Sequence, residues 1–186
     1  EDEVNKYEAL YLDRLLITQA PAIALGNAKK ELVHLASYAI QSLEASYAFF
    51  AKGDEKYFDK VEKYETAVNS IDEELTTYLI DISNESLSVS ENEVLASVLD
   101  SVRDLERIGD LAVASANLSQ HIHNKGIEFS ETAKTELGDV YNRTHRIVLD
   151  SIRVVVDDDK VLAGQVILRH EELEKLEKQL RKTHTK

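Results

Sequence analysis

Glu106 and Asp110 stand one helical turn apart in the run LDSVRDLERIGDLAV, Leu99 to Val113. Projected at about 100° per residue, Leu95, Val98, Leu99, Val102, Leu105, Ile108, Ala112, Val113 and Ala116 gather into one apolar arc. Glu106 falls inside that arc, and Asp110 lies just beyond its margin. An unpaired carboxylate in such a place is costly, so it must hold a cation, pair with a basic group or carry a proton. Three chemistries follow. A surface charge lattice would pair the two acids with Arg103 and Arg107, worth about 0.2 to 0.5 kcal/mol per pair; it accounts for Asp110 better than for Glu106. A carboxylate metal site between helices accounts for both acids. An acid and base pair in an enzyme is the third, but no nucleophile, phosphate loop or Ser/His/Asp set accompanies them. Gly109, near the middle of the arc, lets a second helix come close.

The acids need helices to carry them, and the sequence offers five long ones. A single proline, six glycines and sustained 3.6-residue periodicity predict an all-α fold. Pro21 opens the first, which runs to about Ala51 and is stopped by Lys52, Gly53 and Asp54. The second spans about Glu55 to Asn84. Ser88 to Ser90, followed by Glu91 and Glu93, cap a third that reaches about Lys125 and Gly126. Ser130 opens a fourth, ending in the acidic turn Val156 to Asp159, and the fifth runs from Lys160 to the end.

The chain repeats. The shift that lays Ala28 on Ala133 also lays Lys29 on Lys134, Glu31 on Glu136, Leu32 on Leu137, Ser46 on Ser151, Asp54 on Asp159, Val61 on Val166 and Leu75 on Leu180. The unit is three helices, residues 21–126, and the second unit, residues 130–186, lacks its last helix. On the second helix Glu65 and Asp72 flank the stripe of Val61, Tyr64, Val68, Ile71, Leu75 and Leu79; the shift turns them into His170 and Glu177, and Asn69 into Glu174. Taken singly, each reads as a solvated or salt-bridged flank position. His121 and His123 point to different sides of a helix and read as surface residues, as do His34, His145 and His184.

Composition narrows the partners. Thirty-five acidic against 22 basic side chains leave a formal charge of −13, which argues against nucleic acid and anionic lipid as direct partners and suits cations or basic surfaces. Without cysteine, any metal is held by oxygen or histidine nitrogen. No apolar run spans a bilayer and no signal pattern opens the chain. The absence of methionine marks it as a piece of something larger.

The run DLERIGD, Asp104 to Asp110, resembles the signature of PhoU-type domains, whose helices carry an E(D)xxxD motif; here it reads Glu106, Arg107, Ile108, Gly109, Asp110. The segment from Tyr11 to Leu32 is similar to the one that joins the membrane part of bacterial sodium-phosphate cotransporters to a C-terminal PhoU-like domain. The tail from Glu171 to His184 is similar to that domain's fifth helix. The resemblance implies a PhoU-like helical bundle of two three-helix repeats, with residues 1–20 as the lead-in after a membrane domain. It implies a non-enzymatic regulatory domain on the cytoplasmic side of the inner membrane, modulating phosphate uptake, with the transporter's transmembrane domain as its partner in the same polypeptide. The implied cofactor is a divalent or ferric ion, iron or another oxygen-liganded metal. Carried over residue by residue, the metal set is Glu106, Asp110 and Asp72, with Asn69 where the family has an acid, and Glu174 and Glu177 on the fifth helix. Leu111 replaces the usual histidine after the motif's Asp, and the second motif helix is absent, which removes support for a second metal centre. A purely structural helical module and a carboxylate-bridged metalloenzyme are the alternatives; the latter wants two Glu-x-x-His motifs, and the sequence does not supply two. The missing sixth helix predicts self-association through an uncovered stripe of Val166, Leu173, Leu176 and Leu180, with Ile147, Ile152 and Val155.

Overall fold

A computed structural model describes residues 7–184. Six helices follow in order: α1 (Leu15–Gln19), α2 (Pro21–Lys52), α3 (Glu55–Ser83), α4 (Val89–Asn124), α5 (Glu131–Asp157) and α6 (Lys160–His184). There is no strand among the described residues, so the all-α prediction holds. Each boundary has a chemical cause. Gly53 takes the left-handed conformation, φ 64°, that ends α2. Asp54 caps α3 by accepting the Lys56 N–H. Ser88 and Glu91 exchange hydrogen bonds in a capping box on α4, and Ser130 accepts the Ala133 N–H on α5. The short α1 is a departure: five residues carry too little periodicity to announce a helix in sequence.

Helices α2, α3 and α4 all pack on one another, and the main core lies between them. Leu32 and Leu35 of α2 meet Ile71, Leu75 and Leu79 of α3 and Val98 and Val102 of α4 there, every one nearly or fully shielded from solvent. Ala24, Ala28, Ala36 and Ala39 keep that face of α2 slim enough for two neighbours. Gly109 of α4 does face Val68 of α3, but a Cβ there would sit 3.5 Å from the nearest valine carbon, an ordinary contact, so the approach does not require glycine.

The other two helices form a hairpin leaning on this unit. Helix α5 rests mainly on α2, touches α4 lightly, and carries α6, which packs on no other helix. The Tyr47 and Tyr141 rings stack with centroids 4.0 Å apart. Gly138 makes room for them, since a Cβ there would come within 2.9 Å of the Tyr47 hydroxyl. His145 of α5 bonds Glu44 of α2 at 2.8 Å. Between α5 and α6, Arg169 bonds Asp150, which also draws Arg146 and Arg153, and His184 bonds Glu136 at 2.6 Å. The stripe expected to stand uncovered is therefore partly used within the chain. Val166, Leu176 and Leu180 are half-buried and Leu173 is buried, because this is the face α6 turns to its one neighbour. Among the described residues no helix is long and apolar enough to cross a membrane.

Candidate functional site

The seam between α3 and α4 carries Asp72, Glu106 and Asp110. Helix α4 places Glu106 and Asp110 on successive turns, and α3 brings Asp72 from across the seam. Glu106 is half-buried and so is Asp72, while Asp110 is exposed at the lip. The Thr76 hydroxyl donates to Asp72 Oδ1 at 2.9 Å and fixes its carboxylate. Burial pushes the Glu106 carboxyl above its ordinary range, and the negative charges of Asp110 and then Asp72 push it further; Arg107 pulls weakly the other way. Arg103 does not serve Glu106: it lies 3.5 Å from Asp100 on its own helix face. Among the described residues no salt bridge involves Glu106, Asp110 or Asp72, so the lattice expected from the sequence does not neutralise this seam.

The remaining candidates lie elsewhere. Asn69 is exposed and donates to Glu65 Oε1 at 2.7 Å, along α3 rather than into the seam. Glu174 and Glu177 are exposed on α6, which packs on neither α3 nor α4. They cannot join the trio while α6 turns Leu173 and Arg169 toward α5. The donor chemistry of the trio, oxygen only, fits a hard cation. As the side chains stand, however, no three His, Asp or Glu groups among the described residues converge closely enough to grip an ion.

Glu31 on α2 went unmarked as a functional group in the sequence. It is fully buried, and its Oε2 accepts the backbone N–H groups of Leu10 and Tyr11, each at 2.8 Å. Its Oε1 lies 2.6 Å from His34 Nδ1. The signal was available: Glu31 shares a helix face with Ala24, Ala28 and Leu35, as Glu106 does with its apolar neighbours. His34 and His145, expected on the surface, are instead half-buried against Glu31 and Glu44. His123 is exposed but engaged, its Nε2 3.2 Å from the Phe49 carbonyl.

The fold and seam define a class: an all-helical bundle with an acid-lined groove between adjacent helices. Residues 32–118, from Leu32 on α2 through α3 to Leu118 on α4, match the PhoU domain family. That stretch is similar to a PhoU domain, and it contains Asp72, Glu106 and Asp110. No curated protein and no solved structure matches the chain.

Proposed function

We propose that the chain is a non-enzymatic regulatory domain acting in phosphate homeostasis, and that Asp72, Glu106 and Asp110 take up a divalent or ferric cation. The observation that carries the reading is that three carboxylates, none salt-bridged among the described residues, share one seam inside the stretch that matches the PhoU domain, with Asp110 and Asp72 acting on Glu106. A positive ion would relieve their mutual repulsion, and holding one requires side-chain rotations that bring the oxygen donors together. The lead-in's likeness to the segment following the membrane part of sodium-phosphate cotransporters supports a place on the cytoplasmic side of the inner membrane. The transmembrane domain of the same polypeptide is then the partner, and phosphate uptake the process regulated.

Glu106→Gln keeps the shape and removes the charge. Elemental analysis of the gently purified protein should find bound metal in the wild type and at most about a tenth as much in the variant. Equal content in both would sink the cation reading and leave a structural helical module, the reading favoured by the incomplete convergence of the donors.

A further inference from the structure

Before α1, the chain from Tyr7 to Arg14 runs without regular secondary structure over α2 and α3. We propose that this segment is a releasable strap, hinged at α1 and latched by Glu31. The hinge is apolar: Ile17 is buried and Leu12 and Leu16 pack on the core. Apart from Leu12, the segment is held chiefly by polar groups. Leu10 and Tyr11 donate their backbone N–H groups to Glu31, and Ala9 donates its own to Glu74 Oε1 at 3.3 Å. The Tyr78 hydroxyl donates to the Asp13 carbonyl at 3.0 Å, and Arg14 bonds Asp81 at 3.1 Å. Tyr7 adds an edge-on contact to Tyr38. The side chains of Leu10 and Tyr11 stay exposed, so they draw little from docking.

This set of anchors makes two states accessible. Glu31 lies among Ala28, Leu32 and Leu35, and among the described residues its hydrogen-bond partners outside α2 are those of the strap. Docked, the carboxylate is satisfied by two charge-assisted hydrogen bonds. With the strap lifted, water reaches the same oxygens, so the open state leaves no buried charge unpaired. An apolar residue at position 31 would hold the segment by burial alone and penalise the open state. The inference does not depend on whether the seam binds a cation, because Glu31 is not part of the seam.

Hydrogen exchange of the whole chain, read by mass spectrometry, tests the strap. Glu31→Gln should speed exchange of the amides from Glu8 to Arg14 at least tenfold, while amides of Ile71 to Leu79 and Val98 to Leu105 exchange as in the wild type. Tyr78→Phe, which removes only the hydroxyl held by Asp13, should speed the same strap amides by a smaller factor. Unchanged strap exchange in both variants would overturn the proposal. So would equal acceleration of strap, α3 and α4, which would make strap release the same event as unfolding.

Discussion

Helices α3 and α5 are nearly equal in length, 29 and 27 residues, yet α3 buries eight side chains and α5 none. Their sequences do not account for the difference, since both carry a clear apolar face. Neighbours account for it. Helix α3 is wedged between α2 and α4, so its eight buried side chains come to about one for each turn. Helix α5 has α2 behind it and α6 beside it, and only a light touch from α4, so Ile147, Ile152 and Val155 stop at half-burial. Depth of burial is thus a property of the assembly of helices, and an amphipathic pattern states only which side asks for cover. The same rule separates the acids: those on α3 and α4 are drawn into a shared seam, while Glu174 and Glu177 on α6 stay in water.

The contrast should be plainest in core truncation. Leu75→Ala, at a fully buried position of α3, should lower the unfolding free energy by about 2 to 5 kcal/mol. Leu168→Ala on α6, 61% exposed, should cost less than about 0.5 kcal/mol. Urea unfolding followed by circular dichroism compares them, and similar losses would erase the distinction between unit and hairpin. A smaller effect should separate the two regions by location. Arg169→Ala strips the half-buried Asp150 of its one cross-helix guanidinium, for a loss of about 1 to 2 kcal/mol. Amide exchange should quicken in α6 and stay unchanged in α3; quickening in both would mean that the hairpin and the unit unfold together.

The smallest effect lies in the seam itself. Because burial and the charges of Asp110 and Asp72 raise the Glu106 carboxyl, the folded chain keeps that proton to higher pH than the unfolded chain does. Between the ordinary carboxylate range and the raised one, the folded state binds more protons, so stability falls as pH rises through that window. Glu106→Gln should lack this slope. In chelator-treated buffer it should be the more stable of the two near neutrality, and the two should coincide in acid. A wild type whose stability rises across the window would mean that Glu106 has a cationic partner after all.

Helix ends were the most legible part of the sequence, because Pro21, Gly53, Asp54, Ser88 and Ser130 act on the backbone within a turn of themselves. Glu106 and Asp110 were legible for a similar reason: one helix carries both, and its periodicity alone puts a carboxylate among apolar neighbours. Asp72 was readable as a flank of its own helix's stripe and, through the family resemblance, as a companion of these two, but its place across the seam from Glu106 comes only from the packing of α3 on α4. Glu174 and Glu177 were misplaced because the rotation of α6 is set by Leu173 and Arg169 finding α5, which no single-helix projection contains. Glu31 escaped notice although its face was readable. Its partners are backbone amides of Leu10 and Tyr11, and a backbone amide looks the same in every sequence.

The position of Glu31 also fixes how a mechanical load would travel. Tension on the chain ahead of Tyr7 would meet Tyr38 of α2 and Glu74 of α3 first, through the Tyr7 ring and the Ala9 amide, and then Glu31 through the amides of Leu10 and Tyr11, entering α2 well inside its length rather than at a frayed end. Beyond Glu31 it would be shared with α3 again through Tyr78 and Asp81. The α5–α6 hairpin, which forms none of these bonds, would lie off the line of force. A tug would therefore bear on the helix that carries Asp72 before it disturbed anything in the second half of the chain.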